Sequence, residues 1–417
     1  MLKKNGIIEY TAASVNHFGE AEAVIDNCRV IVPKLLAGEI AEVKIIKAGK
    51  NISFGKIVNV KERSISRIDP ICLNGSCDSC ELKCADYNYQ LQLKTEWVSS
   101  IFGRKIEISG SNQFGYRNKI VLPVKRVSGK FMIGTYKKNS HDISDWTHSC
   151  RVVPEGINSI IRTVRQLVEK YDEKGSIEQL YIRGGSEGYQ AGFIIKSGNR
   201  SVKLILDALY HADQNIVSTF YSASAGTNSV IVKEPVYTNG TGTVLLKTDF
   251  ATYRMFPTAF FQANIYTLNK ILKAVRAEII KSPDEKILDL YSGCGVLSDH
   301  PGIKRTCVES NGSAFGSIEK NELTEFVVSD ASGIINGIDN DDYGIIIADP
   351  PRKGICANLI SAVNSSKAHT FIYLSCEPET QKRDIDLLTN YYIENITAYD
   401  MFPNTVHIES LAILKRK

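Results

Sequence analysis

The sequence predicts an α/β protein in three parts: a small β-barrel over residues 1–64, an α+β region over 65–260, and a doubly wound parallel sheet over 261–417. Three observations predict it. Short period-two strands with glycine-rich joints fill the first part. Four cysteines crowd into residues 72–84 and open the second. From residue 264 onward, helical and strand patterns alternate.

In the first part Val24-Ile25 and Arg29-Val30-Ile31-Val32-Pro33 flank Asp26-Asn27, a turn pair. Ile40 to Lys47 and Ser53 to Val60 each alternate as strands. Their lysines can face RNA, or mark an ordinary solvated strand face. Residues 86–106 read as a polar helix. From about 112 to 260 strands dominate, with one helix at 155–171. Ile182-Arg183-Gly184-Gly185 and Gly226-Thr227-Asn228 are read as turns between strands.

In the last part a helix is expected over 264–281. Lys286–Leu290, Thr306–Glu309, Tyr343–Asp349 and Thr370–Ser375 are buried strands, which is the Rossmann-like pattern. Thr405 to Leu414 reads as a terminal strand. Only 13 residues separate Gly295 from Glu309, and 20 separate Glu309 from Asp330. Parallel strands need a crossover of a dozen or more residues, usually a helix. The crossovers here are therefore shortened, and the ligand site between them trimmed.

Chemistry concentrates in five places. Asp289-Leu290-Tyr291-Ser292-Gly293-Cys294-Gly295 leaves a strand into a loop whose glycines let backbone approach a ligand. Glu309 ends the next strand, where an acid can take two ribose hydroxyls. Asp349-Pro350-Pro351-Arg352 follows an apolar strand and stiffens its edge; an arginine rather than an aromatic after the prolines argues against methylation of an amino group. Cys376 sits between a strand and a helix start, where a thiol pKa falls. Such a thiolate can add to carbon 6 of uracil and make carbon 5 nucleophilic. Glu409, among apolar residues, is the candidate base for the carbon 5 proton, with His407 the weaker alternative.

The fifth place is the cysteine loop. Cys72, Cys77 and Cys80 are separated by four and then two residues. This fits an iron–sulfur cluster better than zinc, which stays an alternative. The fourth ligand is either Cys84 or Cys150.

Together these residues resemble the RNA uracil-5-methyltransferases of tRNA and 23S ribosomal RNA, most closely the iron–sulfur members with an N-terminal TRAM domain, an OB-like RNA-binding barrel. Phe260-Phe261-Gln262-Ala263-Asn264 looks like the family's FxQxN motif, and His407-Ile408-Glu409 its base motif. The resemblance implies Cys376 as nucleophile and Glu409 as general base. It implies S-adenosyl-L-methionine held by Gln262, Tyr291, Glu309, Asp330 and Asp349, with Gly293 and Gly295 in the loop. It places Phe260 against the target base, and a 4Fe–4S cluster on Cys72, Cys77, Cys80 and Cys150. RNA is the implied partner, 23S rRNA first and tRNA next, with a flipped uridine. Two readings compete: a relative that binds RNA without methylating it, and a cytosine-5-methyltransferase, which the Asp-Pro-Pro-Arg and Ser-Cys pairing disfavours.

The net charge of +4 permits a polyanion partner without requiring one. No transmembrane run and no signal peptide are seen, so a cytoplasmic location is expected. With ten cysteines and no export signal, disulfides are not expected. No obligate protein partner is indicated, and a monomer is the default.

Overall fold

The computed structural model describes all residues except 1, 71, 75–76, 139, 173–174, 197–199, 225–233, 318–320, 335–337 and 339–341. The expected turn at Gly226-Thr227-Asn228 lies outside the described residues.

Six strands, β1 (Ile7–Thr11), β2 (Ser14–Val15), β3 (Glu20–Ile25), β4 (Cys28–Pro33), β5 (Ile40–Lys47) and β6 (Ile52–Glu62), form one sheet in the order β1-β5-β6-β4-β3-β2. Asp26 and Asn27 both take positive φ, 50° and 60°, so the β3–β4 link is the two-residue primed turn that this pair favours. Tyr10, Val30, Val32, Val43 and Ile45 alternate inward and give this sheet its own core.

Helix α1 (Tyr87–Phe102) starts where the Asp86 carboxylate accepts from the Tyr89 N–H, and ends on Gly103 in the left-handed conformation. It leads to β7 (Glu107–Ser109), which joins the far C-terminal sheet. Val98, Phe102 and Ile106 enter that sheet's core, so residues 87–109 pack with the C-terminal part although they precede the central one.

The central sheet orders β8 (Lys119–Val127), β9 (Lys130–Tyr136), β10 (Ile143–Asp145), β11 (Ile177–Gly184), β12 (Tyr189–Ile195), β13 (Ile216–Ala223) and β14 (Val236–Gly240) as β10-β9-β8-β11-β12-β13-β14. Helix α2 (Glu155–Tyr171) covers one face, as expected. A second helix, α3 (Arg200–Ala212), also packs there and was not expected; Val202, Ile205, Leu206 and Leu209 form its buried stripe. Ile182, Arg183 and Gly184 are strand, not turn. The chain turns only afterwards, because Ile182 is buried in the core and Arg183 pairs with Gln190. A hairpin of β15 (Val244–Lys247) and β16 (Thr252–Met255) then packs against the C-terminal sheet.

Helix α4 (Ile265–Ile279), capped by the Asn264 side chain, opens the C-terminal part. The eight-stranded sheet is built from β17 (Lys286–Leu290), β18 (Arg305–Glu309), β19 (Thr324–Val328), β20 (Tyr343–Ala348), β21 (Thr370–Ser375), β22 (Tyr391–Tyr399) and β23 (Glu409–Arg416), with β7 at its edge. The order is β19-β18-β17-β20-β21-β23-β22-β7. Strands β17 to β21 run parallel, giving a Rossmann-like core, and β23 is antiparallel to β21. Both faces are covered. Ile287, Ile345, Ile347, Ile372 and Leu374 meet α4, while Leu288, Ile346, Phe371 and Tyr373 meet α1, α5 (Ala357–Ser365) and α6 (Pro378–Leu387).

The crossovers are as short as their residue counts require. Residues 291–304 hold only turns, and Gly312–Ser317 forms a single 3₁₀ stretch between β18 and β19. Cys294, Leu297 and Ile303 fill the core where a helix is usual. The terminal strand begins at Glu409, later than the expected Thr405, because residues 401–406 are bends and turns.

Candidate active site

The carboxyl ends of five strands, β17 to β21, and the start of β23 converge on one cleft. It is about 960 Å³ and is lined by Phe260, Gln262, Tyr291, Gly293, Glu309, Asp330, Asp349, Arg352, Cys376, Phe402 and Glu409. Every proposed cofactor, base and nucleophile residue lies there except Gly295. That glycine (φ 65°) sits beneath the loop, its N–H donating to the Ser292 carbonyl and its carbonyl accepting from Arg305.

The loop after β17 is fixed from below. Asp289 is fully buried and accepts from Ser298 Oγ at 2.6 Å; burial pushes its carboxyl up to about 6. Tyr291 (φ 57°) and Gly293 (φ 54°) turn the backbone outward. The Gly293 N–H then donates to the Glu309 carboxylate at 3.1 Å, which ties the loop to the end of β18. Asp330 is engaged by the Ser332 N–H and hydroxyl, whose hydrogen bonds hold its carboxyl below the usual range. Asp349 is half-buried and meets Gln262 Nε2 at 3.4 Å. Burial, then Asp289, push its carboxyl up to about 7.

The expected nucleophile and base lie at the ends of β21 and β23. Ser375 pairs with Ser410 across the antiparallel register, so Cys376 and Glu409 occupy the next position toward the cleft. Gln381 on α6 locks this end: its Nε2 donates to the Tyr373 and Ser410 carbonyls, and its Oε1 accepts from Ser410 Oγ. Asp384, one turn on, accepts from Tyr373 Oη and the Ile355 N–H, pinning the loop after Pro351 to the same helix.

Glu409 is 3% exposed, and its Oε2 is a buried polar atom without a partner. Burial, then the Asp349 charge, raise its carboxyl well above the ordinary range, while Arg352 opposes the rise. This is a carboxyl group held in a largely desolvated position. Cys376 departs from expectation. A helix start favours thiolate, yet burial, Glu409 and Asp349 push this thiol up to about 11, with Arg352 pulling down. Two carboxylates and desolvation outweigh one helix terminus. His407 stands at the rim with its Nδ1 3.4 Å from Arg352, and burial with Arg352, Lys94 and Arg117 pushes its imidazole down to about 4. That leaves Glu409 the stronger base.

Phe260 stands 60% exposed in the cleft, a free aromatic face. Arg352 and Phe402 line the same cleft and were not among the residues expected there. Arg352 follows the two prolines in the quoted motif, so its place was readable. Phe402 lies in an irregular segment without periodic signal.

The cysteine loop forms a separate cavity of about 180 Å³. Cys72, Cys77, Cys80 and Cys150 all line it. Burial and the neighbouring cysteines push Cys80 up to about 12, and burial pushes Cys150 up to about 11. Cys84 points elsewhere, toward the Lys34 carbonyl and Arg67. Among the described residues, however, no three His, Cys, Asp or Glu side chains are arranged to hold a metal ion as they stand. No helix among them is long and apolar enough to cross a membrane.

Comparison with known proteins agrees with this geometry. Residues 320–417 match the family model described as tRNA (Uracil-5-)-methyltransferase. An uncharacterized RNA methyltransferase of Staphylococcus aureus (strain MRSA252) is 28% identical over 454 residues, covering 100% of this chain and 99% of that protein. Another, of Oceanobacillus iheyensis, is 29% identical over 454 residues, covering 100% and 98%. The crystal structure of the Pyrococcus abyssi tRNA (uracil-54, C5)-methyltransferase with S-adenosyl-L-homocysteine superposes with a TM-score of 0.80 at 24% identity, covering 97% of this chain and 99% of that one, which establishes the shared fold. Over its C-terminal residues the chain is thus similar to the tRNA (Uracil-5-)-methyltransferase family, and over its whole length it is similar to RNA methyltransferases.

Proposed function

We propose that the chain methylates carbon 5 of a uracil in structured RNA, with 23S rRNA and then tRNA as the substrate classes. The observation that carries this is the pairing of Cys376 with a buried, partnerless Glu409 at one end of a cleft whose other end is Glu309 and Gly293. The archaeal structural relative is a tRNA (uracil-54, C5)-methyltransferase, which keeps tRNA a full alternative.

The residues divide the work. Phe260 stacks on a flipped uracil. Cys376 loses its proton and its Sγ adds to carbon 6, so the electron pair of the 5,6 double bond becomes available at carbon 5. S-adenosyl-L-methionine, when bound by Gln262, Tyr291, Gly293, Glu309, Asp330 and Asp349, supplies the electrophilic methyl that carbon 5 takes. Glu409 then removes the carbon 5 proton; the double bond reforms and the carbon 6–sulfur bond breaks, releasing the thiolate. Arg352 faces both groups and favours their anionic forms.

Cys72, Cys77, Cys80 and Cys150 are the proposed ligands of a 4Fe–4S cluster. Their shared cavity and mutual charge coupling support this set, and the separate position of Cys84 supports Cys150 as fourth ligand. The N-terminal sheet, within residues 1–64, is the proposed TRAM-type RNA-binding barrel, and the proposed central domain is the seven-stranded sheet with its cysteine loop, since residues 87–109 and the β15–β16 hairpin pack with the C-terminal sheet. A second reading, an RNA-binding relative without turnover, draws on the short crossovers, which hold no α-helix among the described residues.

The test is nucleoside mass spectrometry of tRNA and 23S rRNA from cells with and without the gene. Loss of 5-methyluridine from one fraction supports methylation and names the substrate. An unchanged content in both overturns it.

A further inference from the structure

Beside the cleft lies a group of cations without counter-charge. Lys119 Nζ stands 5.2 Å from the centre of the Tyr181 ring, and Arg183 Cζ stands 5.8 Å from the same ring. Arg117 donates from Nε to the Lys119 carbonyl at 3.2 Å and lies 5.9 Å over Phe402, a wall of the cleft. Among the described residues none of the three is in an ion pair; the charges that act on Lys119 are Arg183 and Arg117, both repulsive.

The group is also partly unsatisfied. Arg183 is fully buried and spends its Nη atoms on the Phe256 and Ala259 carbonyls, just before Phe260, while its Nε has no partner. Tyr181 Oη is likewise buried and partnerless. Gathering three cations in a half-dry place without an anion is costly. Such a cost is offset when an anion arrives, and the segment held here is the one that carries the base-stacking aromatic.

We propose that Lys119 and Arg117, backed by Arg183, form a binding site for a backbone phosphate of the RNA strand that delivers the uridine to the cleft. This rests on the RNA-methylation reading and adds a phosphate contact to it. Lys119 is the adjustable member: burial and its two cationic neighbours push it down to about 7, so it takes up a proton as the phosphate docks. The groups that face it are Arg117, Arg183 and Tyr181. Guanidinium groups stay charged in proteins. Burial pushes the Tyr181 phenol up to about 12, and His407, near Arg117, is pushed down to about 4, so neither titrates between pH 6 and 8.5.

The experiment measures binding of a fluorescent ten-nucleotide oligouridylate to the full chain, across chloride concentration and pH. Lys119→Gln and Arg117→Gln are each expected to weaken binding and to lower the slope of log affinity against log salt by about 0.7, the loss of one single-strand phosphate contact. In the wild type, affinity should fall by up to about tenfold per pH unit above 7. Lys119→Arg should keep the affinity and remove that part of the pH dependence, an effect that a purely structural lysine would not produce. Unchanged salt slopes in both glutamine variants, with native melting curves, overturn the proposal. Methylation assayed separately on the wild type distinguishes failure of this site from failure of the reading beneath it.

Discussion

Cys376 and Glu409 face each other one position beyond the last paired residues, Ser375 and Ser410, of two antiparallel strands. The thiol and the carboxylate proposed as nucleophile and base are thereby held in register by sheet hydrogen bonds rather than by loop packing. Gln381 ties both strand ends to one helix.

Cys376→Ala removes the only group proposed to add to carbon 6. RNA affinity is expected to stay within about threefold of wild type, and turnover to fall by at least about 10⁴, in line with loss of a covalent nucleophile. A filter-binding assay and a methyl-incorporation assay on the same preparation check both halves.

The pH profile follows from the raised thiol. Below about 11 most of the thiol is protonated, so the reactive fraction rises with pH. Asp349, raised to about 7, loses its proton over the lower part of that range. The rate constant for adduct formation should therefore climb from pH 7 to 9.5, by up to about tenfold per unit. Arg352→Gln removes a neighbouring cation that stabilises the thiolate, so at each pH the rate should drop. Single-turnover kinetics read this directly.

Glu309→Ala deletes the carboxylate that closes the glycine loop. Loss of a charged hydrogen-bond acceptor of about 1.5–3 kcal/mol corresponds to a donor Kd raised about ten- to 150-fold. Titration calorimetry with S-adenosyl-L-homocysteine measures it, and an unchanged Kd would remove Glu309 from the donor site.

Gly354 has φ 77°, and a Cβ there would lie 2.4 Å from Asp384 Oδ2 and from Thr380 Cγ2. Gly354→Ala should destabilise the fold by about 1–3 kcal/mol and loosen the loop that carries Arg352. Thermal melting and kcat are both expected to fall.

Cys80→Ser should bleach the broad visible absorbance of an iron–sulfur chromophore, while Cys84→Ser should leave it, since Cys84 faces Lys34 and Arg67. Bleaching in Cys84→Ser alone would reverse the ligand assignment.

Much of this site was legible in the sequence. Apolar runs marked β17, β20 and β21 over their lengths, because strands covered on both faces lose the polar alternation. The motif residues fell at their carboxyl ends, where a doubly wound sheet puts its ligands. What was not readable depended on contacts distant in sequence. The Cys376 thiol responds to Glu409 and Asp349, which no local pattern around Ser375 reveals. The terminal strand begins late because Asn404 and Thr405 are tied to Gln90 and Phe402 in turns. Strand β7 joins the C-terminal sheet from before the central one, a non-local pairing that three residues cannot signal.

The central claim is that Cys376 bonds to the uracil and Glu409 frees it. Intact-protein mass spectrometry of Glu409→Gln, incubated with substrate RNA and S-adenosyl-L-methionine, tests it most directly. The account predicts a stable protein–RNA adduct that carries the transferred methyl, mapped to the peptide containing Cys376. Full turnover by Glu409→Gln with no adduct, or an adduct on any other residue, would contradict it.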